Sequence, residues 1–338
     1  MKELKALITA AFSESGLKEL QKIMDVEYHN WLEQGRPYTQ AELNEMVKDK
    51  DILIVETCEV HNEVIEANKN LKIIGCCRGL RGDDPTIDIP ACNNRNIPVL
   101  FAPGRNFNSV AEMTILLTLA VIRKVHPATD WLYSGKWQNW LDFYTTFRTC
   151  ELGGRTVGLV GFGNIGKRVS SLFQAFGAKV IAYDPYVNDL TVYKKYDVEK
   201  VDLETLLKTS DIVSLHMNVT SETKSMIGEE ELSLMKPTAY LINSARAACV
   251  DHDALYRFLS EKKIAGAAID VFHKEPVNVD NEPLLSLDNV FATPHLGGTT
   301  YEVIENHSRI VVEDLEKLLK GEKPTFILNP DVLQSFHV

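Results

Sequence analysis

The sequence predicts an α/β chain made of two doubly wound parallel-sheet domains, the larger inserted within the smaller. Three observations lead there. At 338 residues the chain exceeds one ordinary core and suits two domains of roughly 100–200 residues each. Short continuous apolar runs alternate with helical patterns, as in parallel strands covered on both faces by crossover helices. The alternation breaks near the middle and restarts. A last helical stretch, 302–320, carries Val303, Ile304, Ile310, Val311, Leu315 and Leu319 on one side and is expected to return to the first lobe.

In the first hundred residues, strands are expected at 4–10, 52–56, 71–77 and 97–102, with helices at 13–23, 41–48 and 63–67. Pro103-Gly104 marks a turn. The nearly all-apolar stretch 109–125 is expected as a long helix able to cross from one lobe to the next. Residues 126–154 read as irregular and polar, yet hold Trp131, Tyr133, Trp137, Trp140, Phe143, Tyr144 and Phe147. That concentration fits either a cap over the local core or, as the preferred reading, an arm packed on a second copy in a homodimer. From 156 the alternation resumes, with strands at 156–160, 180–183, 211–217, 239–243, 265–271 and 290–293 and helices at 165–176, 203–209, 230–235 and 251–261. Six strands with crossover helices form a dinucleotide-binding architecture. The expected boundaries are 1–104 with 298–338 for the smaller domain and 105–297 for the inserted one.

Charge and composition narrow the partners. Thirty-six Lys and Arg against 47 Asp and Glu give a net charge of −11, which argues against a sequence-independent grip on nucleic acid. The opening residues read as a first strand rather than a signal peptide. The apolar run 113–122 is about half the ~20 residues a bilayer span needs. A cytoplasmic protein without membrane contact is expected. Cys58, Cys76, Cys77, Cys92, Cys150 and Cys249 lie mostly in or beside expected strands, with no Cys-x-x-Cys and no metal-site spacing. They read as reduced structural thiols, with the adjacent Cys76 and Cys77 either a redox pair or packing groups. No metal is expected.

The sharpest motif follows the strand 156–160: Gly161-Phe-Gly163-Asn-Ile-Gly166, running into a helix. Gly161 suits the tight turn, Gly163 lets a pyrophosphate approach the backbone, and Gly166 allows close helix packing, with helix N-terminal amides facing the negative charge. Asp184 ends the next strand, 23 residues beyond Gly161, where a carboxylate bonds ribose hydroxyls and repels a 2′-phosphate. NAD is therefore expected over NADP.

Three further stretches are 243–251 (Asn-Ser-Ala-Arg-Ala-Ala-Cys-Val-Asp), 270–276 (Asp-Val-Phe-His-Lys-Glu-Pro) and 293–298 (Thr-Pro-His-Leu-Gly-Gly). With the glycine loop, they make a chain that resembles the D-isomer-specific 2-hydroxyacid dehydrogenases over essentially its whole length, in a branch like the phosphoglycerate dehydrogenases. The resemblance implies a Rossmann NAD domain inserted in a smaller flavodoxin-like substrate domain. It implies that Arg246 binds the substrate carboxylate and polarises the C2 carbonyl, that His295 exchanges the proton, and that Glu275 holds the imidazole. Beyond the glycines and Asp184, it implies cofactor contacts at Phe162, Asn164, Ile165, His216, Met217, Asn218, Thr223, Ser244, Ala245, Asp270 and Gly297. Substrate contacts are implied at Arg78, Gly79, Leu80, Arg246 and His295.

Elementary chemistry asks for the same groups. Reducing a 2-oxo acid builds negative charge on the carbonyl oxygen, which needs a cation against it and an acid that titrates near neutrality. Arginine and histidine supply these. The chain also departs from the family. His216-Met217-Asn218 stands where relatives carry His-x-Pro, Ala247 where Gly is common, and the loop 77–85 is longer and more charged than usual. Phosphoglycerate dehydrogenases commonly place an arginine after the strand that here ends Val55-Glu56, and Glu56 argues against a phosphate there. Arg78, Arg81 and Arg105 remain either contacts to the far end of an anionic or polyhydroxy substrate or, for Arg81 and Arg105, solvated loop residues. The alternative function is an NAD(H)-sensing protein of the co-repressor type, which keeps the same Arg, Glu and His and is separated from an enzyme by turnover.

Overall fold

The computed structural model describes residues 4–79 and 86–336. These divide into two compact units, one ending at Asn106 and resuming at Thr300, the other formed by Phe107–Thr299.

The first unit is built on strands β1 (Lys5–Ile8), β2 (Asp25–Tyr28), β3 (Ile52–Val55), β4 (Ile73–Cys76) and β5 (Val99–Phe101). They are all parallel, in the order β2-β1-β3-β4-β5. β3 and β4 are buried along their whole length, as continuous apolar runs require. β2 escapes the sequence reading because Asp-Val-Glu-Tyr has no apolar run: it is an edge strand whose residues alternate between exposed and half-buried. Short helices at Trp31–Gln34 and Ile89–Asn94 are likewise additional. The last long helix, Tyr301–Leu319, starts at a Thr300 cap and buries Val311, Leu315 and Leu318 in one cluster with Ile8, Ile54 and Ile73. It thus belongs to the first unit. The strand order reverses direction between β1 and β3, which creates a switch point at their carboxyl ends.

The second unit carries β6 (Thr156–Val160), β7 (Lys179–Tyr183), β8 (Glu199–Lys200), β9 (Ile212–Leu215), β10 (Tyr240–Asn243), β11 (Gly266–Ile269) and β12 (Val290–Ala292). Their order is β12-β11-β10-β9-β6-β7-β8, all parallel, which is the doubly wound dinucleotide-binding arrangement. Seven strands replace the six expected. β8 is a two-residue edge pair, too short and too charged to show an apolar pattern.

The long apolar helix, read as able to cross between lobes, lies in the second unit, within the bounds 105–297 expected for the inserted domain. It spans Phe107–Ile122 and buries Ala111, Leu117 and Val121 against Leu159, Ile242 and Ala268. It stops before Val125 because Lys124 turns left-handed (φ 51°) and starts a new helix, Val125–Tyr133. With Asp142–Thr146 helical as well, 126–154 is not the irregular segment expected. Its aromatics pack on one another, Trp131 on Phe147 at 5.6 Å and Trp140 on Phe143 at 5.2 Å between ring centroids. Tyr133 and Trp140 nevertheless stay 87% and 65% exposed, so the cluster does not cap the core of its own unit.

The cysteines form no disulfide among the described residues. Cys76 and Cys77 are fully buried, and burial pushes the Cys77 thiol well above its usual range, against redox reactivity. No helix among the described residues is long and apolar enough to cross a membrane.

Candidate active site

In the second unit, the singled-out residues gather at the carboxyl ends of the parallel strands. β6 runs into Gly161, whose φ of 100° is left-handed and whose missing side chain lets the His216 carbonyl approach: a Cβ there would lie 2.7 Å from that oxygen. A Cβ on Gly166 would meet the Gly161 carbonyl at 2.4 Å. Gly163 differs. It caps the helix Asn164–Ala175 in extended backbone, and a Cβ there would meet nothing within 4 Å. Packing does not demand glycine at that position, so the open space over a helix N-terminus fits a pyrophosphate cradle.

Asp184 follows β7 and ties the loop together. Its Oδ2 accepts the Phe162 N–H at 2.8 Å, and its Oδ1 accepts those of Tyr186 and Val187. The Phe162 amide is therefore committed to Asp184, and its ring is buried, stacked 4.7 Å from Tyr193. Oxygen lone pairs remain on Asp184 for a ribose.

After β9, His216 pairs through Nε2 with Ser214 Oγ at 2.9 Å, and burial pushes its pKa down to about 3. The ring is neutral. Met217 packs on the core while Asn218 is exposed. Thr223 closes this loop, donating to the Asn218 carbonyl at 2.6 Å and accepting the Thr220 N–H at 2.7 Å.

Arg246 lies three residues beyond β10 and is exposed, with Nη1 donating to the Ala245 carbonyl at 2.7 Å. Asn243 fixes its backbone: Nδ2 donates to the Arg246 carbonyl at 3.0 Å and Oδ1 accepts the Ala245 N–H at 3.1 Å. Ser244, buried, pairs with Thr114 Oγ1 at 2.8 Å.

His295 and Glu275 come together after β12 and β11. His295 Nδ1 and Glu275 Oε2 are 2.6 Å apart, and Glu275 Oε1 accepts the Phe272 N–H at 2.9 Å. Burial raises the Glu275 carboxyl, but the bonds from His295 and Phe272 and the charges of His295 and Arg246 outweigh it and hold it below the usual 4.5. Glu275 is thus ionised near neutrality. Nδ1 is engaged, which leaves Nε2 as the nitrogen able to exchange a proton.

Asp270 is fully buried and braces this corner. Its Oδ1 accepts from Thr293 Oγ1 (2.6 Å) and the Leu296 N–H (2.8 Å), and its Oδ2 accepts the Gly297 N–H (2.7 Å). The clamp grips both sides of His295, which sits in left-handed backbone at φ 55°. The Gly297 carbonyl in turn accepts from Ser109 Oγ at 2.7 Å. Asn243, Thr114, Thr293 and Ser109 escape the sequence reading. Of these, Asn243 and Thr293 stand inside the motifs, so adjacency is their signal, whereas Thr114 and Ser109 sit on a distant helix and have none.

In the first unit, the Arg78 carbonyl accepts the Ala102 N–H at 2.9 Å and Gly79 is exposed. Leu80 and Arg81 lie outside the described residues. Arg105 is not a solvated loop arginine: its side chain is only 18% exposed and is held by Glu56 at 2.5 Å.

Comparison with known proteins identifies the family. Residues 115–297 match the family described as D-isomer specific 2-hydroxyacid dehydrogenase, NAD binding domain. The chain is 39% identical over 339 residues to a glyoxylate reductase of Thermofilum pendens, covering 98% of this chain and 96% of that protein. It is also 39% identical over 334 residues to a D-3-phosphoglycerate dehydrogenase of Methanocaldococcus jannaschii, covering 98% of this chain but 60% of that protein. The crystal structure of the TT0316 protein from Thermus thermophilus superposes with a TM-score of 0.84 at 32% identity, covering 96% of this chain and all of that one.

Proposed function

The chain belongs to the D-isomer-specific 2-hydroxyacid dehydrogenases, and on that premise we propose that Arg246, Glu275 and His295 carry its chemistry on a small 2-oxo or D-2-hydroxy acid. As a member it is an NAD-dependent oxidoreductase acting on CH–OH groups. The observation that carries the residue assignment is the 2.6 Å His295–Glu275 pair on the same strand-end edge as Arg246 and the glycine loop.

When bound, the nicotinamide supplies or accepts the hydride at C2. Arg246 holds the substrate carboxylate with a planar fork and balances charge growing on the C2 oxygen. His295 gives the proton to that oxygen in reduction, through Nε2, and takes it back in oxidation. Glu275, ionised, fixes the tautomer and stabilises the charged ring. Asp184 is read as the ribose partner that favours NAD, and the first unit, with Arg78 and Gly79, as the substrate-binding unit.

The protein is further read as a cytoplasmic homodimer. Support comes from the arm 125–147, where Leu132, Tyr133, Trp137, Trp140 and Leu141 remain exposed although large apolar groups concentrated on one segment are enriched at interfaces. Light scattering at micromolar concentration tests it, and a monomer would end that reading.

The activity test is NADH oxidation with a panel of 2-oxo acids, in wild type, His295→Gln and Arg246→Gln. Turnover by wild type that collapses in both variants while NADH still binds is the expected result. Robust turnover in His295→Gln would remove His295 from the mechanism, and tight NADH binding without turnover of any acid would favour a sensor.

A further inference from the structure

Besides His295 and Glu275, the second unit holds another histidine–carboxylate pair, which no step of the proposed reaction uses. His252 opens the helix His252–Ser260, six residues beyond Arg246. Its Nε2 meets Glu282 Oε1 at 2.7 Å, and its Nδ1 reaches Asp253 Oδ1 at 3.4 Å. Ionised carboxylates only accept, so both contacts suit a ring with a proton on each nitrogen. Burial pushes the His252 imidazole down, but the bonds and charges of Glu282 and Asp253 outweigh it and raise it above the usual 6.5. His273 faces the same ring edge-on, at 83° and 5.8 Å between centroids.

The two groups that His252 meets on the neighbouring segment flank Glu275, His273 two residues before it and Glu282 seven after it. The downstream end of this loop is anchored: Glu282 Oε1 also accepts the Leu284 N–H at 3.3 Å, and Leu284 is buried in one cluster with Leu255 and Ile269. At the upstream end the Phe272 N–H orients Glu275 through its Oε1. Apolar packing does not complete the contact between the two segments. A cavity of about 20 Å³, room for one water, is lined by Asn243 and Ala247 on the Arg246 segment and by Phe272 and His273 on the Glu275 loop. His252 and Glu282 line the same cavity, so a polar tie spans the place where packing is incomplete. Their side chains are 27% and 10% exposed, which shields the tie better than a fully solvated ion pair.

We infer that His252, clamped to Glu282, is a positioning residue that fixes the Glu275 loop against the segment carrying Arg246 and so keeps Glu275 on His295. This rests on the proposed roles of Arg246, Glu275 and His295. His252 touches none of the reacting groups, and its effect on rate passes through Glu275.

The test is a double-substitution cycle read by steady-state NADH oxidation with glyoxylate or hydroxypyruvate, whichever wild type turns over faster. His252→Ala is expected to lower kcat by about tenfold, part of the roughly 100-fold that a misplaced reacting group costs. KM and the NADH dissociation constant should stay within about twofold, because the groups read as binding substrate and cofactor are unaltered. Glu282→Gln should give a similar fall. In a Glu275→Gln background, adding His252→Ala should change kcat by less than about twofold, since the charge that the loop positions is already gone. If His252→Ala does not fold, Glu282→Gln carries the same cycle. Unchanged kcat in the variant that folds, or two losses that multiply in the double variant, overturns the inference and leaves the dehydrogenase reading standing. Glu275→Gln that turns over like wild type removes Glu275 from the mechanism, and wild type that reduces neither acid overturns the dehydrogenase reading; the inference falls with either.

Discussion

Asp270→Asn is the substitution whose consequence follows most directly from the geometry. The carboxylate is fully buried and meets three donors, Thr293 Oγ1, Leu296 N–H and Gly297 N–H, all within 2.8 Å. Asparagine keeps the shape but offers one accepting oxygen. With that oxygen toward Thr293 and Leu296, the new NH2 faces the Gly297 N–H, donor against donor. The flipped rotamer leaves the Leu296 N–H without a partner instead. Either way one buried amide is orphaned, at about 1–3 kcal/mol, and the surviving bonds lose their charge assistance. A total of about 2–4 kcal/mol is expected. The cost falls on the segment that carries His295, so kcat/KM should drop roughly 100-fold, the scale of a small misplacement of a reacting group. Urea titration followed by circular dichroism reads the first quantity and steady-state NADH oxidation the second. A variant with the wild-type urea midpoint and turnover within about twofold would show that Asp270 does not hold this corner.

Gly163→Ala should leave stability unchanged, because a Cβ there meets nothing within 4 Å, yet weaken NADH binding by about tenfold or more if the pyrophosphate occupies that space; fluorescence titration measures it, and unchanged affinity would place the pyrophosphate elsewhere. Asp184→Ala should raise KM for NAD and improve relative use of NADP; it also removes the bond that holds the Phe162 amide, so the NAD/NADP ratio rather than either KM is the informative readout. His216, held near 3 by burial, stays neutral in the folded chain while the unfolded chain protonates near 6.5. The unfolded state then binds more protons, so stability falls as pH drops from 6.5 toward 3, by at most about 1.4 kcal/mol per pH unit. His216→Gln should flatten that slope, and urea midpoints at several pH values that stay parallel to wild type would refute it.

How much of the fold the sequence discloses depends on burial. β6, followed by the glycine loop, is legible to the residue, and the buried β3, β4, β9, β10 and β11 to within one to two residues at each end. β2 and β8 lie at sheet edges and are only partly buried, so their residues carry charge and no apolar run. The long apolar helix is recognisable but not its end, because a left-handed Lys124 is a backbone choice with no compositional signature.

The site divides along a different line. Arg246, Glu275 and His295 are polar residues left partly open to solvent at strand ends, where packing does not explain them, and such residues stand out in a sequence. The groups that hold them are legible only in three dimensions. Thr114 and Ser109 are small hydroxyls on an apolar helix, indistinguishable by composition from core filler, yet they bond Ser244 and the Gly297 carbonyl across 130 and 188 residues of chain. Glu56 and Arg105 join across 49 residues, and His307 reaches Arg105 across 202. Sequence motifs register local chemistry, whereas hydrogen bonds from distant segments arise only when crossovers bring strand ends to one edge. This separation has a functional corollary. On the proposed assignment, the reacting groups can stay accessible because hydrogen bonds from distant segments fix the backbone beneath them, so substitutions in the buried supports should lower turnover without touching substrate. The exposed triad, by contrast, should tolerate isosteric change in stability while losing rate.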